Sequence, residues 1–282
     1  MEYAIEVRNL TKRYKGFTLD DISFALPRGT VMGLIGENGA GKSTLINSIL
    51  GIADSESSLT AILGLDMKTH SKKIKEDIAV IFNDSHYDVN LTPKIIGHIL
   101  SKVYKNWDAP LFSEYLERFN LPEKKKIKKL STGMRVKLEF AAALSHHPKL
   151  LILDEATSGL DPVFRDEILD ILREFTEDED HAVLMSSHIT SDLDKIADYI
   201  AYLHEGKMQF IKTYDEIRND YGIITCGQEL FDTLSRDDIA AYKKDPYSYR
   251  VLVKNRAKLR QVFQDIPMEN ASVEDIMLFY VK

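Results

Sequence analysis

Residues Val31 to Ile35 form an unbroken apolar run that leads directly into Gly36-Glu37-Asn38-Gly39-Ala40-Gly41-Lys42-Ser43-Thr44, and the helix-like run Leu45 to Leu50 follows at once. No other stretch of the chain limits the fold as tightly. A continuous apolar strand is one buried on both faces, as in a parallel sheet. The glycine spacing fits G-x-x-x-x-G-K-[ST], a pattern that requires a strand before it and a helix after it. In such a loop glycines let backbone N–H groups close around phosphate oxygens, and the helix N-terminus adds positive potential. Lys42 then reaches the β and γ phosphates and Ser43 ligates Mg²⁺. Gly36, Asn38, Gly39, Ala40, Gly41, Lys42, Ser43 and Thr44 are thus candidate nucleotide contacts.

Two more apolar runs, Leu150 to Leu153 and Ala182 to Met185, also end in polar residues. In open parallel sheets ligands gather just beyond the carboxyl ends of the strands, which is where Gly36, Asp154 and Ser187 fall. Three strands therefore aim at one site. Asp154 would reach the metal, often through water, and Glu155 would polarise an attacking water as general base. The competing reading makes both carboxylates helix caps. An upstream phosphate loop favours the chemical one.

A length of 282 residues is a soft prior for two domains or one large core with an appendage. The formal charge of −7 argues against a general nucleic-acid binder. With 44% hydrophobic residues, 8 Pro and 14 Gly, the composition is that of an ordinary globular protein. Cys226 is the only cysteine, which excludes an internal disulfide framework and suits a reducing, cytoplasmic compartment. No apolar run approaches the roughly 18 residues of a membrane-spanning helix, so work at a membrane would require a partner to bring the chain there.

Between the phosphate loop and Asp154, residues from about Leu91 to Leu150 read as helical: Ile95, Ile99 and Val103 lie one turn apart, as do Leu111, Tyr115 and Phe119. Most of the Ile95, Ile96, Ile99 and Val103 set is expected in a core, with a docking groove as the alternative. Lys124, Lys125, Lys126, Lys128 and Lys129 read as a solvated face, the alternative being attraction to anionic lipid headgroups. Beyond Gly206 the tail has different chemistry. Tyr247, Tyr249, Val251 and Val253 alternate like one strand face, and Ser272 with Asp275 forms a capping box before Val273, Ile276, Met277 and Tyr280. It reads as a small α+β unit.

Leu130-Ser131-Thr132-Gly133-Met134 resembles the signature motif, usually LSGGQ, of ATP-binding cassette (ABC) ATPases, and it stands shortly before the Asp154 strand as that family requires. Ser158-Gly159-Leu160-Asp161 resembles the family's D-loop, His188 its switch histidine, and Tyr14 the aromatic that stacks on adenine. The resemblance spans about residues 1 to 212. It implies an α/β fold: a P-loop ATPase core of the ABC type with an antiparallel β subdomain and a helical signature subdomain at 84–150, with an α+β accessory unit at 213–282. It implies ATP and Mg²⁺ as ligands, the latter organised by Ser43, Asn83 and Asp154, and catalysis by Glu155 with His188, Lys42 and Asn83. It also implies a head-to-tail dimer, homomeric or with a related subunit, in which Ser131 and Gly133 face the partner's γ-phosphate and Asp161 crosses the interface. A separately encoded transmembrane permease would complete the machine and hold the chain at the inner face of the membrane; nucleic acid is not expected.

Asn83 stands where the family usually has Gln, with Asp84 beside it as a substitute; Thr132 and Met134 replace Gly and Gln, and Ala156 replaces Pro. Because Ser131, Gly133, Asp154, Glu155 and His188 remain, an active site is expected, with turnover that these changes can slow. The signature, Ser187-His188-Ile189 and the run Val273 to Tyr280 are similar to nucleotide subunits of bacterial exporters of antibiotics, peptides or lipid-like compounds. Two rival readings are a soluble ABC ATPase of translation or DNA repair and a non-hydrolytic assembly module. A second cassette or long coiled-coil insertion, the mark of the first rival, is missing. For the tail, bracing of the dimer through the Ile276 and Tyr280 face stands beside regulation of turnover.

Overall fold

The computed structural model describes residues 2–82, 87–263 and 266–280. Its centre is a six-stranded sheet in the order Lys207–Thr213, Tyr199–His204, Thr30–Ile35, Ala182–Ser186, Leu150–Asp154, Ile78–Phe82. All neighbours are parallel except the first pair, an antiparallel hairpin. The unbroken apolar runs follow from burial on both faces. Met32, Leu34, Ile152 and Leu184 enter one core, while Val31, Ile35, Leu151, Leu153, Val183 and Met185 enter the other.

The first core is closed by an antiparallel sheet of Phe17–Pro27, Tyr3–Tyr14, Leu59–Ile62 and Leu65–Asp66, together with Leu45, Ile46 and Ile49 from the helix Lys42–Ile49. The second core is closed by helices. Pro93–Val103, Ala109–Arg118 and Thr132–Leu144 begin at Thr92, Asp108 and Ser131, each of which accepts a backbone N–H into its side chain. Pro162–Phe175 begins likewise at Asp161 and contributes Phe164, Ile168 and Leu172.

The expected core role of Ile95, Ile99 and Val103 does not hold. These three are exposed, and of the four only Ile96, at the edge of that stripe, is buried. A one-turn spacing identifies a helix stripe but not what covers it. The lysines at 124 to 126, 128 and 129 are solvated around a short 3-10 turn, Ile127–Lys129, whose Ile127 is buried.

The tail builds a third, antiparallel sheet in the order Ile239–Lys244, Tyr249–Val253, Gly222–Cys226, Met268–Asn270. Tyr247 lies before its strand and is 98% exposed, so the anticipated alternation starts at Tyr249. The capping box forms as read: Ser272 Oγ accepts from the Asp275 N–H at 3.1 Å, and the Ser272 N–H donates to the Asp275 carboxylate at 3.2 Å. The helix it starts, Val273–Tyr280, does not offer its face to a second molecule. Ile276 is buried in the second core, and Tyr280 packs on Tyr202 and Phe210 of the central sheet with ring centres 5.7 and 6.0 Å away. Bracing of a dimer through that face is therefore replaced by bracing of the chain's own sheet. The tail also keeps a small core of its own around Ile224, Tyr249, Val251 and Leu259.

Candidate functional site

Strand register brings the chemistry together. Asp154 lies directly across from Ser186, and Ser186 across from Leu34, so the carboxyl ends of three neighbouring strands share one edge. The loop after Thr30–Ile35 has to pass very close to the hairpin. A Cβ on Gly36 would come within 2.3 Å of the Leu203 carbonyl oxygen, which only glycine avoids. Gly41 takes φ 109°, a left-handed conformation that also favours glycine, and starts the helix Lys42–Ile49 with no side-chain cap. Helices such as Thr132–Leu144 and Pro162–Phe175 do have such caps. The first N–H groups of Lys42–Ile49 are thus free to meet an anion.

An open cleft of about 240 Å³ lies over this loop, lined by Phe17, Glu37, Asn38, Gly39, Gly41, Lys42, Ser43, Thr44 and Glu155. Lys42 is almost wholly buried in its wall, donating to the carbonyls of Gly36 at 2.8 Å and Glu37 at 3.3 Å. Its ammonium also lies 3.3 Å from Glu155 Oε1. The other oxygen, Oε2, forms a short hydrogen bond with His188 Nδ1. Glu155 itself adopts φ 55° at the end of its strand, a conformation rarely seen outside glycine, asparagine and aspartate.

The donor set around Ser43 and Asp154 fits a magnesium ion. No group of three His, Cys, Asp or Glu side chains able to hold a metal occurs among the described residues. A pair of protein oxygens such as Ser43 Oγ and the Asp154 carboxylate suits Mg²⁺, which commonly takes one or two protein oxygens and completes its octahedron with phosphate oxygens and water. Asn83, assigned to the same ion from the sequence, lies outside the described residues, as does Asp84.

The remaining sequence-selected residues are elsewhere. Ser131 is exposed and caps its helix, accepting from the Met134 N–H at 3.2 Å. Gly133 lies beside the Ser158–Asp161 loop, and neither Ser131 nor Gly133 lines the Lys42 cleft. Asp161 is engaged as the cap of Pro162–Phe175. Its carboxylate accepts from the Phe164 N–H at 3.0 Å, and that bond holds its pKa below the usual carboxylate value. Tyr14 is half exposed at its strand end, with the Lys12 ammonium 4.9 Å from its ring centre.

Two participants were not evident from the motifs. Phe17 lines the cleft close to Gly41. Ser186, buried at the end of its strand, donates to Asp154 Oδ1 at 2.6 Å and accepts from the Glu155 N–H at 3.1 Å. The sequence shows only that Ser186 is a polar residue ending an apolar run; the strand register, seen in the structure, sets it opposite Asp154.

Residues 19–158 match the family described as ABC transporter. The chain is 31% identical over 230 residues to the ABC transporter ATP-binding protein YtrB of Bacillus subtilis, covering 81% of this chain and 77% of that protein. It is 35% identical over 211 residues to the bacitracin transport ATP-binding protein BcrA of Enterococcus faecalis, covering 74% and 68%. It is 34% identical over 220 residues to the lantibiotic transport ATP-binding protein SrtF of Streptococcus pyogenes, covering 76% and 93%. Among solved structures, an ATP binding subunit of an ABC transporter superposes with a TM-score of 0.71 at 27% identity, covering 76% of this chain and 92% of that one.

Proposed function

This chain belongs to the ABC transporter family of ATP-binding proteins, and on that premise we propose that it is the ATP-hydrolysing subunit of a bacterial exporter of peptides, antibiotics or other amphipathic compounds. Relatives named for bacitracin and lantibiotic transport support the cargo class. The single observation that carries the mechanism is the convergence of Lys42, Glu155 and His188 at the phosphate loop.

Residues 1–212 serve as the ATP-binding domain, 84–150 as its helical subdomain and 213–282 as the accessory unit. Gly36 to Thr44 hold the phosphates through the loop N–H groups and the uncapped helix start. Lys42 exchanges its carboxylate contact for β and γ phosphate oxygens, which releases Glu155 Oε1 to accept a proton from the attacking water. Ser43, Asp154 and Asn83 are assigned to Mg²⁺, which when bound neutralises charge on the phosphates. His188 donates to the γ-phosphate and Tyr14 stacks on the base. Ser131, which is exposed, and Gly133, both away from the cleft, face the γ-phosphate of a second subunit, and Asp161 sits at that same junction. ATP then closes a head-to-tail dimer, of this chain with itself or with a related subunit, and hydrolysis reopens it. No helix among the described residues is long and apolar enough to cross a membrane, so the membrane step belongs to a separate permease that holds this subunit at the inner face.

Glu155→Gln in solution tests this reading. With ATP and Mg²⁺ its mass is expected to double while hydrolysis is lost. A variant that still hydrolyses ATP, or one that binds ATP with no dimer even beside its permease, would overturn it.

A further inference from the structure

Ser186 is a hydroxyl in an otherwise apolar strand, Ala182–Ser186, and it has no solvent exposure. A buried hydroxyl is unfavourable unless bonded, and this one uses both of its capacities at the hydrolytic centre. Its Oγ donates to Asp154 Oδ1 at 2.6 Å and accepts from the Glu155 N–H at 3.1 Å. The same N–H lies 3.2 Å from the Ser186 carbonyl, so two oxygens of one residue fix the peptide between the two carboxylates.

We propose that Ser186 is a positioning residue for ATP hydrolysis: its hydroxyl sets the Asp154 carboxylate toward the divalent cation and anchors the Glu155 backbone so that the Glu155 side chain stays over the phosphate loop. The inference rests on the roles given above to Asp154 and Glu155. Its physical basis is that Glu155 has φ 55°, which a residue with a Cβ keeps only when its surroundings hold it there. The anchoring bond is on the N–H of that very residue. Asp154 without the hydroxyl would have one fewer donor to select its rotamer, and outer-shell donors of this kind tune how a carboxylate meets its metal. Ser187, the next residue, does none of this. Its Oγ turns back to the Ile189 N–H at 2.9 Å.

Ser186→Ala removes one oxygen and leaves the backbone carbonyl bonded to Glu155, so the fold is expected to survive. Its kcat is expected to fall about tenfold. The second readout needs no turnover. In a Glu155→Gln background, equilibrium ATP binding is measured with and without Mg²⁺, and Ser186→Ala is expected to reduce the gain from Mg²⁺ several-fold while leaving metal-free binding unchanged. Ser186→Thr, which keeps the hydroxyl, should recover most of both effects, and Ser186→Val, of the same shape without it, should not. Native kcat and native Mg²⁺ gain in Ser186→Ala overturn the proposal, as does equal behaviour of the Thr and Val variants. If Glu155→Gln alone leaves hydrolysis intact, it is the assignment of Glu155 that fails, while the Mg²⁺ readout still decides the bond to Asp154.

Discussion

The ammonium of Lys42 lies 3.3 Å from Glu155 Oε1 across the floor of the phosphate loop. The cation assigned to the phosphates and the carboxylate assigned to the water therefore hold each other before nucleotide arrives, and binding must part them.

Parting them costs a largely buried ion pair, so Glu155→Gln is expected to bind ATP more tightly as well as to lose hydrolysis. An interaction of about 1 kcal/mol corresponds to roughly a fivefold lower Kd. Loss of a general base lowers turnover by about 10²-fold or more. Equilibrium binding of a fluorescent ATP analogue beside steady-state phosphate release checks both. Equal Kd values would show that the pair does not oppose binding.

The exposed cap Ser131 carries two loads that one substitution separates. Ser131→Ala removes the acceptor for the Met134 N–H and is expected to cost about 1 kcal/mol of stability. ATP binding by the isolated subunit should persist, because Ser131 does not line the Lys42 cleft. ATP-driven dimerisation in a Glu155→Gln background should be lost. Light scattering with and without ATP measures it, and an undiminished dimer removes Ser131 from the interface.

His146 gives a pH dependence unrelated to catalysis. Burial pushes its imidazole below the ordinary 6.5, although Nε2 bonds the Ile78 carbonyl at 3.1 Å, and Asp77 and His147 act on it more weakly. The folded state thus binds this proton less readily than the unfolded chain. Its contribution is complete above the unfolded pKa and declines as pH falls below it. Urea midpoints between about pH 8 and pH 5 should drop on the acid side, and drop less in His146→Gln. An identical slope in that variant would assign the effect to other groups.

Removal of packing under the tail should destabilise the ATPase core rather than the tail alone. Ile276→Ala empties space in the second core and is expected to cost about 3 kcal/mol. Truncation after Thr213 uncovers Tyr202 and Phe210 and should promote aggregation. Thermal unfolding followed by tryptophan fluorescence, from Trp107 in the helical subdomain, reads the first, and sedimentation reads the second. A truncated chain as stable and soluble as the whole would show that the tail only rests there.

Features with a short-range cause could be read from the chain. The glycine loop, the strands buried on both faces and the Ser272–Asp275 box each arise within a few residues. The features not legible depend on what lies across a gap. Ile95, Ile99 and Val103 have a helical period whether covered or bare, and Ile276 reads as a free apolar face until Tyr202 and Phe210 are placed beneath its helix. Ser186 lay hidden because its meaning comes from inter-strand register, which a single strand does not reveal. Phe17 follows the Tyr14 strand end by three residues, and only the hairpin turn brings it to Gly41.

The strand Tyr199–His204 serves two masters through consecutive residues. The Leu203 carbonyl fills the space that a side chain on Gly36 would need, and the Tyr202 ring receives Tyr280. One peptide unit therefore separates the surface the tail leans on from the first turn of the phosphate loop. A tail substitution that tilts this strand is thus expected to shift the geometry of nucleotide capture.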